Sequence, residues 1–513
     1  PVVTLSYATF EGASTGGLES FSGISYAQPP IGDLRFRRPQ PPLLLSGTKL
    51  ATTYGNACFP QEYTPPHIPG INYTILAGFL PKANASGDCL YANVVRPAGV
   101  TEQSKLPVVV WFYGGAFAVG DGSSYDGSTV VQRSVELGEP VIYVNFNYRL
   151  NAFGFLGGKE ALAGGATNIG LYDQKFFLDW VKTYISKFGG DPNQVTAAGS
   201  QSIIVHILTN PTSPPFKAAI LVRACEFEIP TDSQNYQATY DQLVQFTGCA
   251  SAPDTLECLR AAPYATLADA VNTTPSFLSL NGLDLTWAIS IDGELIEKAV
   301  KQYINEGCYA MLPILGSQVD DEGTTDADLK AFLKAGLYLG ATDAQVNSLA
   351  DKYSQDPAAG SPFNTRNRSA LTPEFKRLAA IQGDLFFQSG RRSAFSKWAA
   401  TQNVWSFLWK RSKDSLYLRS VHGGELPEMY GLTGDHLGTD AIVNFVNHQD
   451  PNHPEGSTAA SLLSSVAWPK YDLDSKKMFL FSDNGTEEYT TVPDTYRADA
   501  IAAIIKVQTA LGQ

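Results

Sequence analysis

The chain has 513 residues, 44% of them hydrophobic and 17% charged, with a formal net charge of −13. That acidic balance argues against a nucleic-acid partner, whose phosphates demand clustered Lys and Arg; no run of about 18 apolar residues is present that could span a membrane. With 27 Phe and 24 Tyr, the chain has apolar material for one large core, which excludes disorder as a description of the whole.

The chain opens at Pro1 without Met or a leader-like apolar stretch and reads as a processed, mature form. Next comes the segment from Cys58 to Cys89, rich in proline (Pro60, Pro65, Pro66, Pro69, Pro81) around the apolar island Ile75–Leu80. Such a stretch reads equally as a lid or binding flap and as a surface excursion. Val108–Phe112 and Val141–Val144 are β-branched runs bounded by Gly or Pro, the pattern of central strands buried on both faces. Leu171, Leu178, Val181, Ile185 and Phe188 recur at helical spacing and predict a helix ending at Gly189-Gly190-Asp191-Pro192. Gln194–Gly199 returns as a strand. Ala218–Val222, Pro313–Leu315, Val404–Leu408 and Met478–Phe481 read as further strands, and Ala498–Leu511 as a closing helix. Strands alternating with helices predict an α/β fold with a mostly parallel sheet. No repeat, linker or charge block marks a boundary, so residues 1–513 are expected to form a single domain.

Three segments carry types suited to acyl transfer. Gly114-Gly115-Ala116 follows a predicted strand, and its small residues let backbone N–H groups face a cavity, as an oxyanion hole requires. Asp320-Asp321-Glu322 follows another strand, where α/β sheets place functional groups, although a solvated acidic turn would read the same. His422 stands among small residues in a later loop, whereas His206 lies in an apolar helical run and reads as a packing residue. Between the first two, Val195–Val205 reads as strand, sharp turn and helix, the context that presents a nucleophilic serine, but the usual Gly-x-Ser-x-Gly is absent. Ser200 sits at the bend with the small residues Ala198 and Ser202 on either side and is the first candidate; Ser202 is the second. The alternative is that both serines only cap the helix. The chain order of turn, acid and His matches that of an α/β-hydrolase.

Six cysteines (Cys58, Cys89, Cys225, Cys249, Cys258, Cys308) lack metal-ligand spacing, and neither a metal nor a cofactor is expected. Asn72, Asn84, Asn272, Asn367 and Asn484 begin glycosylation sequons, which together with the cysteines favour a secreted, extracellular glycoprotein.

Ordered matches along the chain resemble the type-B carboxylesterase/lipase family, which has the α/β-hydrolase fold. They include Phe21–Pro30 with Leu34-Arg35-Phe36, Asp88–Val94, Asn147–Leu150, Asn168–Gln174, Phe188–Pro192, Asp321-Glu322-Gly323, His422-Gly423 and Trp468-Pro469. The resemblance implies a Ser-Glu-His esterase acting on small-molecule or lipid esters, with Glu322 and His422 as partners of the serine. It also implies an oxyanion hole of Gly115, Ala116 and the residue after the nucleophile, Gln201. Disulfides Cys58–Cys89, closing the flap at about 58–89, and Cys249–Cys258 follow from the same source. No Trp lies between Cys58 and Cys89, so a choline-binding site is not implied. This chain departs from the family pattern where Gly199 runs directly into Ser200-Gln201-Ser202, as though four residues were missing, and where Arg223-Ala224 replaces Ser-Gly. Four residues is about one helical turn, so their loss leaves the downstream helix face in register. A cation at Arg223 would compete with His422 for Glu322. Two functions follow: a secreted serine esterase, or a catalytically silent binding or adhesion protein on the same scaffold.

Overall fold

The computed structural model describes residues 1–63, 83–222, 232–276, 286–322, 329–333, 341–370, 372, 374–414, 419–483 and 489–511. Its central feature is a sheet of eleven strands. In chain order these are β1 (Ala13–Thr15), β2 (Leu18–Ser25), β3 (Tyr91–Pro97), β4 (Leu106–Trp111), β5 (Ile142–Phe146), β6 (Gly190–Gly199), β7 (Ala218–Leu221), β8 (Ile314–Val319), β9 (Val404–Lys410), β10 (Lys477–Ser482) and β11 (Tyr489–Pro493). Across the sheet they run β11-β10-β9-β8-β7-β6-β4-β5-β3-β2-β1. From β10 to β5 every neighbouring pair is parallel, while both margins are antiparallel. A small sheet of Val2–Thr4, Thr9–Glu11 and Thr48–Leu50 lies apart from it.

The predicted strands are present, with ends shifted by a few residues. The largest difference is at β6, which begins at Gly190: Gly190 pairs with Leu106, the register then slips, and regular pairing resumes at Val195 opposite Val108. Sequence patterning reads that slip as a turn because Asp191-Pro192-Asn193 are turn residues. The strands β5, β7 and β8 are buried along their full length, which is why they read as continuous apolar runs and not as alternating ones.

The helix α1 (Ile169–Tyr184) continues as a tighter turn through Ile185–Phe188, close to the predicted end. Its inner face stacks Phe177 on Phe146 of β5, with centroids 4.0 Å apart, and on Trp180. Next, α2 (Gln201–Thr209) leaves β6 through the Gly199-Ser200 turn. Later in the chain α3 (Phe375–Gly383), a π-helical turn (Asp384–Gln388) and α4 (Ser389–Trp398) follow without a break. The closing helix α5 (Ala498–Ala510) packs with α3 in a second apolar cluster containing Leu378, Ile381 and Ile504. Cys58–Cys89 and Cys249–Cys258 are bonded in the structure. Cys308 is a free thiol, and Cys225 falls outside the described residues.

Candidate active site

Because β4, β6, β8 and β9 are parallel, their carboxyl ends lie on one edge of the sheet, and the loops leaving them meet there. The Gly115 loop leaves β4, the Ser200 turn leaves neighbouring β6, the Glu322 segment leaves β8 and the His422 loop follows β9. Adjacent strands are about 4.8 Å apart, so the side chains have roughly 10 Å to span from β6 to β8 across β7.

Glu322 and His422 form the best-defined part of the edge. His422 Nδ1 is 2.6 Å from Glu322 Oε2. The other carboxylate oxygen, Oε1, accepts from the Val319 amide at 3.1 Å, so both oxygens are held. The glutamate is buried and the imidazole is 36% exposed in its side chain. A carboxylate accepts at Nδ1 only from N–H, so in the neutral ring Nε2 is the basic nitrogen. The Phe387 ring lies 4.9 Å from the imidazole, presented by the π-helical turn. That same turn is pinned to β8, since Gln388 Nε2 donates to the Val319 carbonyl.

Asp320 and Asp321 are not the solvated turn that their composition suggests: they are 2% and 1% exposed. Asp321 Oδ2 accepts from the Ser420 amide at 3.0 Å and from Lys413 Nζ at 2.6 Å, while Oδ1 accepts from the Phe363 amide. A parallel bridge joins Asp321 to Val421. The residue next to the acid thus fastens the loop carrying the histidine. Burial, then the neighbouring Asp320, pushes the Asp321 carboxyl up to about 6 against the pull of Lys413.

The Gly114-Gly115-Ala116 loop, the candidate oxyanion hole, has the backbone its small residues allow. Gly115, Ala116 and Phe117 all have positive φ (130°, 55° and 58°), and a Cβ on Gly115 would lie 2.3 Å from the Val119 carbonyl oxygen. Only glycine fits there. The Gly115 carbonyl closes the turn by accepting from the Ala118 and Val119 amides. The amides of Gly115 and Ala116 donate to no acceptor among the described residues, and both positions are half-buried.

At the Gly199-Ser200 turn the two candidate serines differ in burial and partners. Gly199 has φ 154°, and a Cβ there would meet the Phe112 carbonyl oxygen at 2.7 Å, so the chain can bend close to β4 only with glycine at this position. Ser200 follows at the N-cap of α2, half-buried. Its hydroxyl makes no capping hydrogen bond; its carbonyl accepts from the Ile203 and Ile204 amides instead. Ser202 is buried, and its Oγ accepts from Gln174 Nε2 at 2.9 Å. The same Gln174 accepts at Oε1 from His206 Nε2, 3.1 Å away. Residues i and i+2 of a helix do not share a face, so Ser202 is turned towards α1 and the interior. His206 is fully buried, as a packing residue should be. Gln201, the oxyanion donor implied by the resemblance, is the first residue of α2, with its side chain buried.

Arg223-Ala224 and Gly323 lie outside the described residues, as do the sequons at Asn72 and Asn484. Asn84 and Asn367 are exposed, whereas Asn272 is half-buried and accepts from the Glu62 amide. Among the described residues no group of His, Cys, Asp and Glu has the arrangement of a metal site, and no helix is long and apolar enough to cross a membrane.

The sequence assigns no role to Gln174, Asp321 or Phe387; Gln174 and Asp321 stand only within matched segments, and Asp321 beside the candidate Glu322 at a strand end.

A model of the carboxylesterase family matches residues 1–502. Secreted lipase 1 of Botryotinia fuckeliana is 34% identical, over 94% of this chain and 90% of that protein. Lipase 5 of Diutina rugosa is 35% identical, over 88% of this chain and 86% of its own length. Among solved structures, Aspergillus niger EstA superposes with a TM-score of 0.82 at 26% identity, covering 100% of this chain and 99% of that one.

Proposed function

The chain belongs to the carboxylesterase family, and on that premise we propose that this secreted carboxylic-ester hydrolase works through an acyl-enzyme formed on Ser200. The observation that carries the proposal is the 2.6 Å contact between His422 Nδ1 and a Glu322 carboxylate whose second oxygen is held by the Val319 amide. That arrangement fixes the tautomer and supports the imidazolium.

In the proposed cycle His422 Nε2 takes the Ser200 hydroxyl proton as Oγ attacks the ester carbonyl carbon. The tetrahedral oxyanion is held by the amides of Gly115, Ala116 and Gln201. On collapse the C–O bond to the alcohol breaks, and His422 returns the proton to the departing alkoxide. A water, deprotonated by the same nitrogen, then releases the acid and restores Ser200. Burial of Ser202 against Gln174 supports the assignment to Ser200. The substrates are small-molecule or lipid esters, the second by likeness to the secreted lipases.

The missing Gly-x-Ser-x-Gly favours a second reading, a silent scaffold that binds without turnover. Initial rates on p-nitrophenyl butyrate separate the two. The proposal expects turnover in the native protein and loss of about 10³-fold or more in both Ser200→Ala and His422→Ala. Full turnover in His422→Ala contradicts it, and no turnover in the native protein supports the scaffold.

A further inference from the structure

The π-helical turn Asp384–Gln388 interrupts what would otherwise be one continuous helix from α3 to α4. Turns of this kind are rare, and they gather at functional sites. Here both ends are fastened by buried polar groups. Asp384 accepts from Arg497 Nε and Nη2 at 2.7 to 2.9 Å and from the Tyr353 hydroxyl at 3.0 Å. Gln388 is fully buried and uses both ends of its side-chain amide. Its Oε1 accepts from the Tyr496 hydroxyl and from Arg391 Nη2, and its Nε2 donates to the Val319 carbonyl at 3.2 Å. Two donors converging on Oε1 fix which way the amide lies and so aim Nε2 at β8. In return, Gln318 of β8 donates from Nε2 to the Phe387 carbonyl at 3.4 Å.

These contacts close a circuit around Glu322. Val319 gives its amide to Glu322 Oε1 and its carbonyl to Gln388, while Glu322 Oε2 meets His422 Nδ1. The imidazole packs on Phe387, the residue before Gln388, with centroids 4.9 Å apart and planes at 52°. A bond at Nδ1 fixes one corner of an imidazole and leaves the ring able to rock about it. An aromatic ring packed against the imidazole limits that rocking, and with it the place of Nε2. Phe387 can do this only while its own backbone is fixed to the strand that leads into the acid. Gln388 supplies that tie.

We propose that, with His422 acting as the base of the function proposed for this site, Gln388 is a positioning residue for ester hydrolysis: by tying the π turn to β8 it holds Phe387 against His422 and sets the direction in which Nε2 points. It touches neither the imidazole nor the substrate. Its effect passes through Phe387, so its loss frees the ring contact without removing either member of the Glu322–His422 pair. The choice of nucleophile does not enter.

The test compares Gln388→Glu, Gln388→Leu and Tyr496→Phe with the native full-length chain. Gln388→Glu keeps an acceptor for Tyr496 and Arg391 but has no N–H for the Val319 carbonyl; Gln388→Leu has neither. Tyr496→Phe leaves Gln388 in place and removes one of the donors that orient its amide. Two readouts are followed: steady-state hydrolysis of p-nitrophenyl butyrate, and the downfield proton resonance of the His422 Nδ1–H bonded to Glu322, identified by its absence in His422→Ala. Expected in both Gln388 variants are a kcat about tenfold lower, with KM within about twofold of native, and a resonance that broadens or moves upfield. Tyr496→Phe should act in the same direction and by less. Tyr7→Phe controls for a general loss of stability: its hydroxyl is bonded to Trp180 Nε1 and to the Ser25 carbonyl of β2, six strands from β8. It should lower Tm and leave kcat and the resonance unchanged. An equal loss of kcat in Tyr7→Phe overturns the proposal, as does a native kcat and resonance in folded Gln388 variants. A kcat that falls while the resonance stays overturns it too, since the loss then lies outside the acid–imidazole pair. If the Gln388 variants do not fold, Tyr496→Phe decides by the same two readouts. A native protein without turnover overturns the proposed reaction and not this inference, which the resonance then decides alone.

Discussion

His206 and His422 each lie one hydrogen bond from a side-chain oxygen, yet their surroundings differ in charge and in access to water. His206 meets the neutral amide of Gln174 at 3.1 Å and is fully buried. Burial, with Lys175 adding a little, pulls its pKa down to about 3, so it stays neutral. His422 meets the carboxylate of Glu322 at 2.6 Å, and its ring reaches solvent. Glu322 sets a carboxylate beside the His422 ring, whereas His206 meets only a neutral amide. His422 has the surroundings the proposed proton exchange requires, and His206 fills space between α1 and α2.

The most severe way to break this contrast is to make the two partners alike. Glu322→Gln leaves a hydrogen-bonding oxygen but no charge and permits the wrong tautomer, so kcat/KM should fall about 10⁴-fold with little change in Tm. Steady-state kinetics beside a melting curve checks this, and a loss under tenfold would mean that Glu322 only positions the ring. The buried pair should respond the other way. Ser202→Ala removes the acceptor of Gln174 Nε2 and should cost about 1–3 kcal/mol in urea unfolding, with kcat unchanged.

Acid sharpens the comparison further. A histidine whose folded pKa lies below the unfolded 6.5 contributes stability that is complete above pH 6.5 and is lost as pH falls towards 3. Between pH 6.5 and 5 His206 should account for about 2 kcal/mol of lost stability. Urea titrations at the two pH values should show that part of the loss missing in His206→Gln. The smallest effect concerns Phe387, whose ring contact with His422 should be worth about 0.5–1.5 kcal/mol. Phe387→Leu should therefore lower kcat by no more than about tenfold while leaving the fold intact.

How far the sequence reaches differs between these regions for a physical reason. Strands such as Ile314–Val319 and Val404–Lys410 are legible because burial on both faces demands apolar β-branched or aromatic runs. Glu322 is a candidate because it stands just beyond such a strand, and His422 because it stands among small residues in a later loop and matches the family pattern. That Ser202 turns inward was not legible, since it depends on which helix face meets Gln174, a residue 28 positions from Ser202. The π-helical turn that sets Phe387 against His422 has no composition of its own; its ties to β8 are the bonds from Gln318 to the Phe387 carbonyl and from Gln388 to the Val319 carbonyl, each between residues 69 apart in sequence. Asp321 looked like a surface acid because nothing local reveals Lys413 and Ser420, more than 90 residues away.

The central claim is that Ser200 is the group His422 activates. Incubation with a fluorophosphonate followed by peptide mass spectrometry tests it most directly. One adduct per chain is expected, on the Ser200 peptide, absent in Ser200→Ala and strongly slowed in Glu322→Gln. No adduct, or an adduct on any other side chain, contradicts it.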